Sequence, residues 1–307
     1  MEENEDGESV FVYHWPPDLA EPFETFDDVV ASFVRRPSVY PAVQFSCAVT
    51  GRPVEDWLTA ALDAEQAIVR LRAVTVLIRA QAPRTVAEQW QTLQALRTGP
   101  DAAAFAVVTD QLLAAFSPES IAAKIADKTV FGMFAGSRHR QWCLRAAGVC
   151  KHIEFVPDLT RWSKSRSIDY SLAAVRSLQD LQGPAVNQAL AECVRGWRYS
   201  AANHAAHTLL QRQPELLRTT LLEIEPTDRL YAKGLLLAKL EDHRAVPILC
   251  ETVHEIAIKD GEMFDGIERL ARTEHLAAIA TLPKRVRDEQ KQRATEVVAA
   301  VRKRLKE

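Results

Sequence analysis

The chain is predicted to be all-α, a right-handed α-solenoid of antiparallel helix pairs, and two observations predict it. The first is a motif that returns at a nearly constant spacing and begins each time on an aromatic residue. Trp142-Cys143-Leu144-Arg145-Ala146-Ala147 is followed by Tyr170-Ser171-Leu172-Ala173-Ala174-Val175, Tyr199-Ser200-Ala201-Ala202 and Tyr231-Ala232-Lys233-Gly234. Each aromatic heads a small, Ala-rich helical segment, and a second apolar segment follows after a short break. Such a period belongs to helix pairs that cannot bury their apolar faces alone and therefore stack. The second observation is that no segment alternates with period two over a strand's length, apart from Val10 to Trp15.

Bulk properties agree with a water-exposed helical array. Apolar residues make up 47% of the 307 and charged residues 26%, with only 11 glycines, which suits helices joined by short loops. A net charge of −3 gives no overall pull toward nucleic acid or an anionic membrane. Five cysteines (Cys47, Cys143, Cys150, Cys193, Cys250) form no CxxC pair and cannot all pair within one chain. Reduced, buried thiols in a cytoplasmic protein are the expectation. The start, MEENEDGES, is the opposite of a signal peptide's basic opening, and no uninterrupted apolar stretch is long enough to span a bilayer.

The elements follow in order. Residues 1–24 read as an acidic tail and extended cap: residues 1 to 28 hold ten acidic side chains and no Lys or Arg, and Val10 to Trp15 is too apolar to stay solvated. Residues 25–137 read as divergent helical repeats. Thr25 caps a helix running to Arg35, with Asp27 and Asp28 at its start and Arg35-Arg36 at its end, as the helix dipole favours. Pro41 to Thr50 is another, closed by Gly51, and Val54 to Ala80 holds one or two more. Pro83, Gly99-Pro100 and Ser117-Pro118 then divide helices at about 85–97, 101–116 and 119–128. Residues 138–282 carry the clearest repeats, in which Leu172, Val175, Leu178, Leu209, Leu236 and Leu249 are expected to be buried between layers. Residues 283–307 form a charged helix with nine basic residues and an apolar stripe of Ala294, Val297, Val298 and Val301, which caps the last repeat.

Asp242-His243-Arg244-Ala245-Val246-Pro247-Ile248-Leu249 resembles the D-x-x-A-V-P-x-L second-helix pattern of HEAT-like repeats of the phycobilin-lyase type. Its chemistry is intelligible: Asp242 caps the helix, Pro247 takes an early turn, and Val246, Leu249 and Val253 share a face. Pro184 to Leu190 and Pro214 to Leu217 are looser counterparts. The resemblance covers residues 139–256 and implies the fold. It is nearly silent on function, because this repeat type serves scaffolds, lyases, glycosylases and hydroxylases alike.

Three groups of residues are candidates for chemistry. His139, Cys143 and Cys150 lie along one predicted helix face and are of zinc-binding type, but a fourth ligand is not evident and both cysteines occupy apolar repeat positions. His204 and His207 invite comparison with the HEAT-related deoxyhypusine hydroxylases, whose iron is held by His-Glu dipeptides. Here only His254-Glu255 is such a dipeptide, so no metal and no cofactor are expected. The third group is basic with interleaved tryptophan: if solenoid stacking aligns them, Arg138, Arg140, Trp162, Lys164, Arg166, Arg195 and Arg198 form a partner-binding stripe. Asp158, Trp162 and Asp169 are the counterparts that a resemblance to HEAT-like alkylpurine DNA glycosylases would require. The opposing reading pairs these cations with Glu192, Glu215, Glu223 and Glu225.

The sequence therefore points to a non-enzymatic protein-binding module, a bacterial adaptor or toxin-neutralising immunity protein, whose partner presents an acidic surface. A nucleic-acid-binding glycosylase-like protein and a lyase or chaperone for a cofactor-bearing protein are the rivals, and no membrane role is expected.

Overall fold

A computed structural model describes residues 2–3, 9–10, 58–59, 62–63, 67–79, 81–126, 135–196, 199–224, 230–253 and 260–306. The expected cap over Val10–Trp15 (beyond Val10), the helices at Thr25–Arg35 and Pro41–Thr50, Cys47, Arg198 and His254-Glu255 lie outside these residues. The fold is all-α. Among the described residues the strands amount to one antiparallel pair, β1 (Glu2–Glu3) and β2 (Ser9–Val10). No described helix is long and apolar enough to cross a membrane. The chain divides into two compact units, Met1–Phe155 and Val156–Glu307.

The first unit contains α1 (Ala67–Arg79), α2 (Val86–Thr98), α3 (Ala102–Ala114), α4 (Pro118–Ala126) and α5 (Ala135–Val149). The helices expected at 85–97, 101–116 and 119–128 are thus α2, α3 and α4. α2 packs on α1, α3 and α5, and α4 packs on α5. Trp142 does not head its helix as the other aromatics do. It sits inside α5, 1% exposed, because it is the centre of this unit's core. Its ring lies 4.8 Å from that of Phe116, which lies 5.3 Å from Trp90. Its indole N–H donates to Gln89 Oε1 at 2.9 Å, and Gln89 in turn donates to Ala82 O and Thr85 Oγ1. Gln89 is fully buried, and this network satisfies its amide, as burial of a polar group demands.

The second unit contains α6 (Val156–Ser163), α7 (Ile168–Asp180), α8 (Pro184–Arg195), α9 (Tyr199–Arg212), α10 (Pro214–Glu223), α11 (Leu230–Lys239), α12 (Ala245–Thr252), α13 (Asp260–Leu270), α14 (Leu276–Ile279), α15 (Leu282–Arg285) and α16 (Lys291–Arg304). Pro184 and Pro214 stand at the first helical position, where the missing amide has no partner to lose. From α6 to α10 helices two apart in the chain pack together: α6 on α8, α7 on α9, α8 on α10. Further on, α11 packs on both α12 and α13, and α16 on α13 and α15. Val175, Leu178, Leu209, Leu236 and Leu249 are buried as expected, whereas Leu172 is half-buried.

The unbroken C-terminal helix expected from Lys284 is interrupted. Val286 and Arg287 are extended, a 3-10 turn follows at Asp288–Gln290, and Gln290 Oε1 accepts the Arg287 amide there. The stripe Ala294, Val297, Val298 and Val301 is nevertheless buried along α16.

Arginines tie successive helix ends together. Arg212, last in α9, donates to the Gln179 and Leu181 carbonyls at the end of α7. Arg269 in α13 donates to Ala238 O at the end of α11, and Arg304, last in α16, donates to Arg269 O and Ala271 O at the end of α13. A helix leaves its last carbonyls unpaired, and its C-terminal dipole favours a cation, so one guanidinium answers both needs.

Candidate functional site

Of the seven stripe residues, Arg138 and Arg140 lie on α5 in the first unit. Trp162, Lys164, Arg166 and Arg195 belong to the second, and their geometry is built on α6, α7 and α8. Helix α6 buries Val156, Leu159 and Ser163 and ends there, so Lys164 emerges on the short corner that leads into α7. Across this corner the Trp162 and Tyr170 rings meet edge to face, with centroids 5.4 Å apart. The Arg161 guanidinium lies 5.9 Å from the Trp162 ring and donates to Asp158 at 2.7 Å. Asp158 is therefore held by its own helix, and Asp169 is exposed at the start of α7. Arg166 is exposed with no ion-pair partner among the described residues, next to Ile168, which is 65% exposed.

The α6 and α8 ends are aligned by a buried contact in which Cys193 Sγ–H donates to Ser163 Oγ at 2.9 Å. With that register set, Lys164 Nζ reaches Glu192 Oε2 at 2.8 Å. Further along the unit, Arg195 Nη2 at the end of α8 reaches Glu223 Oε2 at the end of α10, also at 2.8 Å. Both pairs join residues 28 apart, and all four side chains are substantially exposed. Exposed pairs of this kind contribute only about 0.2–1 kcal/mol each. Their consequence is a pattern: one edge of α6, α8 and α10 carries Lys164, Glu192, Arg195 and Glu223, cations and carboxylates in alternation. Arg218 is likewise paired with Glu215.

The thiol and histidine candidates take other places. Cys143 is fully buried, and burial pushes its thiol up to about 11, with Lys124 and Arg140 opposing. Burial pushes Cys150 up to about 12, Cys193 to about 11 and Cys250 to about 12. The four described cysteines are free thiols, and none belongs to a described group of three or more residues with metal-holding geometry. His204 and His207 face outward on α9. Partial burial, then Arg176 and His207, keep the His204 imidazole below its ordinary range.

The carboxylate partners of the stripe, Glu192 and Glu223, are evident in sequence as acids, but the register that delivers them to Lys164 and Arg195 comes from the buried packing. Sequence reasoning missed the Trp162–Tyr170 contact, although the aromatic spacing across a Ser-rich corner signals it. No family model matches this chain, and no curated protein or solved structure matches it either.

Proposed function

We propose that the chain is a non-enzymatic protein-binding module, a right-handed HEAT-like solenoid that serves as a bacterial adaptor or a toxin-neutralising immunity protein. The observation that carries the reading is the alternating edge of Lys164, Glu192, Arg195 and Glu223. Binding to phosphates draws its free energy from counterions released by unpaired Lys and Arg. On this edge each cation already has a carboxylate, so a run of phosphates would meet local negative charge and would have to break these pairs. Alternating charge suits a protein surface with the matched pattern, where it sets register and rejects wrong partners. Arg166, without an ion-pair partner among the described residues and on the same corner as the Trp162–Tyr170 contact, supplies the feature that selects an acidic group on that partner. Aromatic and arginine side chains in such combination are the ones that dominate protein interfaces. The solenoid reading is supported by the packing of α6 on α8 and α7 on α9, and by polar contacts that recur between one repeat and the next along the unit.

The test is titration of labelled duplex and single-stranded DNA at near-physiological salt, with an Arg166→Glu/Arg198→Glu variant alongside. Non-specific DNA binders show dissociation constants of about 10⁻⁴ to 10⁻⁶ M there. The proposal predicts no binding within that range. Binding tighter than it, abolished by the double reversal, overturns the proposal in favour of a nucleic-acid function.

A further inference from the structure

Two turns of the second unit, one repeat apart in sequence, meet through ionisable side chains that no part of the proposed binding edge uses. The first turn, 241–244, leads into α12. The second, 272–275, includes a 3-10 turn at Thr273–His275 and leads into α14, which packs on α12. The His243 and His275 rings face each other with centroids 5.8 Å apart and planes tilted by 32°. Glu274 Oε1 lies 3.8 Å from His243 Nε2 and 3.7 Å from His275 Nε2. His275 is 8% exposed, whereas the Glu274 side chain is 62% exposed.

The backbone fixes the tautomer of His275. The Arg272 amide donates to His275 Nδ1 at 3.1 Å, so Nδ1 must offer a lone pair and the imidazole proton resides on Nε2, toward Glu274. The same tautomer argues against the trio as a metal site, because the Nε2 lone pair that a metal needs is occupied by that proton.

We propose that His243, Glu274 and His275 form a proton-operated clasp, which joins the 272–275 turn to the 241–244 turn near neutral pH and releases it in mild acid. A second proton on His275 goes to Nδ1 and converts the acceptor of the Arg272 amide into a donor. Two N–H groups then face each other and the turn loses its cap. The new cation sits at a buried position with His243 and Arg272 close by, and the exposed Glu274 carboxylate offsets this only in part. On the facing turn Asp242 does not compensate, because its carboxylate is already engaged by the Arg244 guanidinium and amide, with Arg218 at 3.5 Å.

The electrostatics agree with this direction. Burial, the largest cause, together with His243 and Arg272 outweighs Glu274 and holds His275 below its ordinary value of 6.5. A base whose folded value lies below its unfolded one gives stability that is complete above about pH 6.5. That stability is lost as pH falls from there toward the folded value.

The experiment uses the full chain in two forms, wild type and His275→Asn. Asparagine at 275 keeps an oxygen acceptor at the Nδ1 position for the Arg272 amide and cannot titrate. Urea unfolding is followed at pH 8, 6.5 and 5.5, with hydrogen exchange on peptides covering residues 260–285. Below pH 6.5 the wild-type unfolding constant should rise relative to His275→Asn, by up to about tenfold per pH unit. Protection of the 272–285 amides should fall in wild type and persist in His275→Asn. Ionisable groups that do not touch residue 275 are common to both proteins and cancel from the comparison. Parallel pH dependence of the two proteins overturns the clasp. Should His275→Asn fail to fold at pH 8, an NMR titration of wild-type His275 decides: a midpoint at or above 6.5 overturns the proposal. A midpoint below 6.5, accompanied by loss of Arg272 amide protection, supports it.

Discussion

Replacement of Arg212 by Leu removes the clearest link between successive helix ends, and its cost follows from the geometry. The guanidinium donates to Leu181 O at 2.9 Å and also to Gln179 O, the two carbonyls left open where α7 ends. A hydrogen bond from a charged donor contributes about 1.5–3 kcal/mol, and a cation at a helix C-terminus adds about 0.3–1 kcal/mol. The two acceptor residues differ in exposure: Gln179 is half-buried but Leu181 is 2% exposed, so water reaches the Gln179 end more readily. One bond is thus partly replaced by solvent, and the expected loss for Arg212→Leu is about 2–3 kcal/mol. Arg212→Lys keeps the charge but presents a point donor in place of a fork, and should lose about half as much. Urea unfolding followed by circular dichroism measures both. A loss below about 0.5 kcal/mol for Arg212→Leu, the range of ordinary surface substitutions, would refute the idea that these arginines fasten one helix end to another.

Three further outcomes are expected. Gly234→Ala should destabilise by about 1–3 kcal/mol despite alanine's better helix propensity, because a Cβ there lies 2.9 Å from Leu249 Cδ2 and 3.1 Å from Ile248 Cγ2. Gly261→Ala, whose Cβ meets nothing within 4 Å, is the control that should not destabilise, and thermal unfolding of the two separates packing from propensity. Gln89→Leu should cost about 1–3 kcal/mol by chemical denaturation, since it strands the buried Trp142 indole N–H; a neutral result would mean that water reaches that N–H. Cys143, Cys193 and Cys250, buried and held near 11 to 12, should resist thiol reagents at pH 8 until the protein unfolds, as mass spectrometry of alkylated protein will report.

Helix starts were the most legible part of this chain. Tyr170, Tyr199 and Tyr231 fall within the first three residues of α7, α9 and α11, and Pro184 and Pro214 open α8 and α10. Helix ends were less so. Gln81, Lys151 and Glu241 take φ of 53°, 61° and 56° just past α1, α5 and α11. Each reverses the chain with paired backbone bonds, such as Glu241 N to Ala238 O and Asp242 N to Leu237 O. Glycine is the usual mark of such an end, and here it is absent, so the pattern carried no signal. The break at Val286 was hidden for a similar reason, because Arg287 to Gln290 contains nothing that forbids a helix. For the candidate edge, charge was visible but pairing was not. Lys164 finds Glu192 only because Ser163 and Cys193 have locked α6 against α8, and that register is a product of three-dimensional packing.

The central claim is that the alternating edge recognises a protein, and a charge-swapped variant addresses it most directly. Lys164→Glu combined with Glu192→Lys preserves the ion pair while reversing the pattern shown to a partner. Wild-type and swapped proteins are used as bait in the native host, and bound proteins are quantified by mass spectrometry beside matched unfolding curves. The account predicts equal stability, a partner with an acidic surface retained by wild type, and its loss by at least about tenfold on the swap, the equivalent of about 1.4 kcal/mol. Equal retention of the same partner by both proteins would contradict the assignment of this edge as the binding surface.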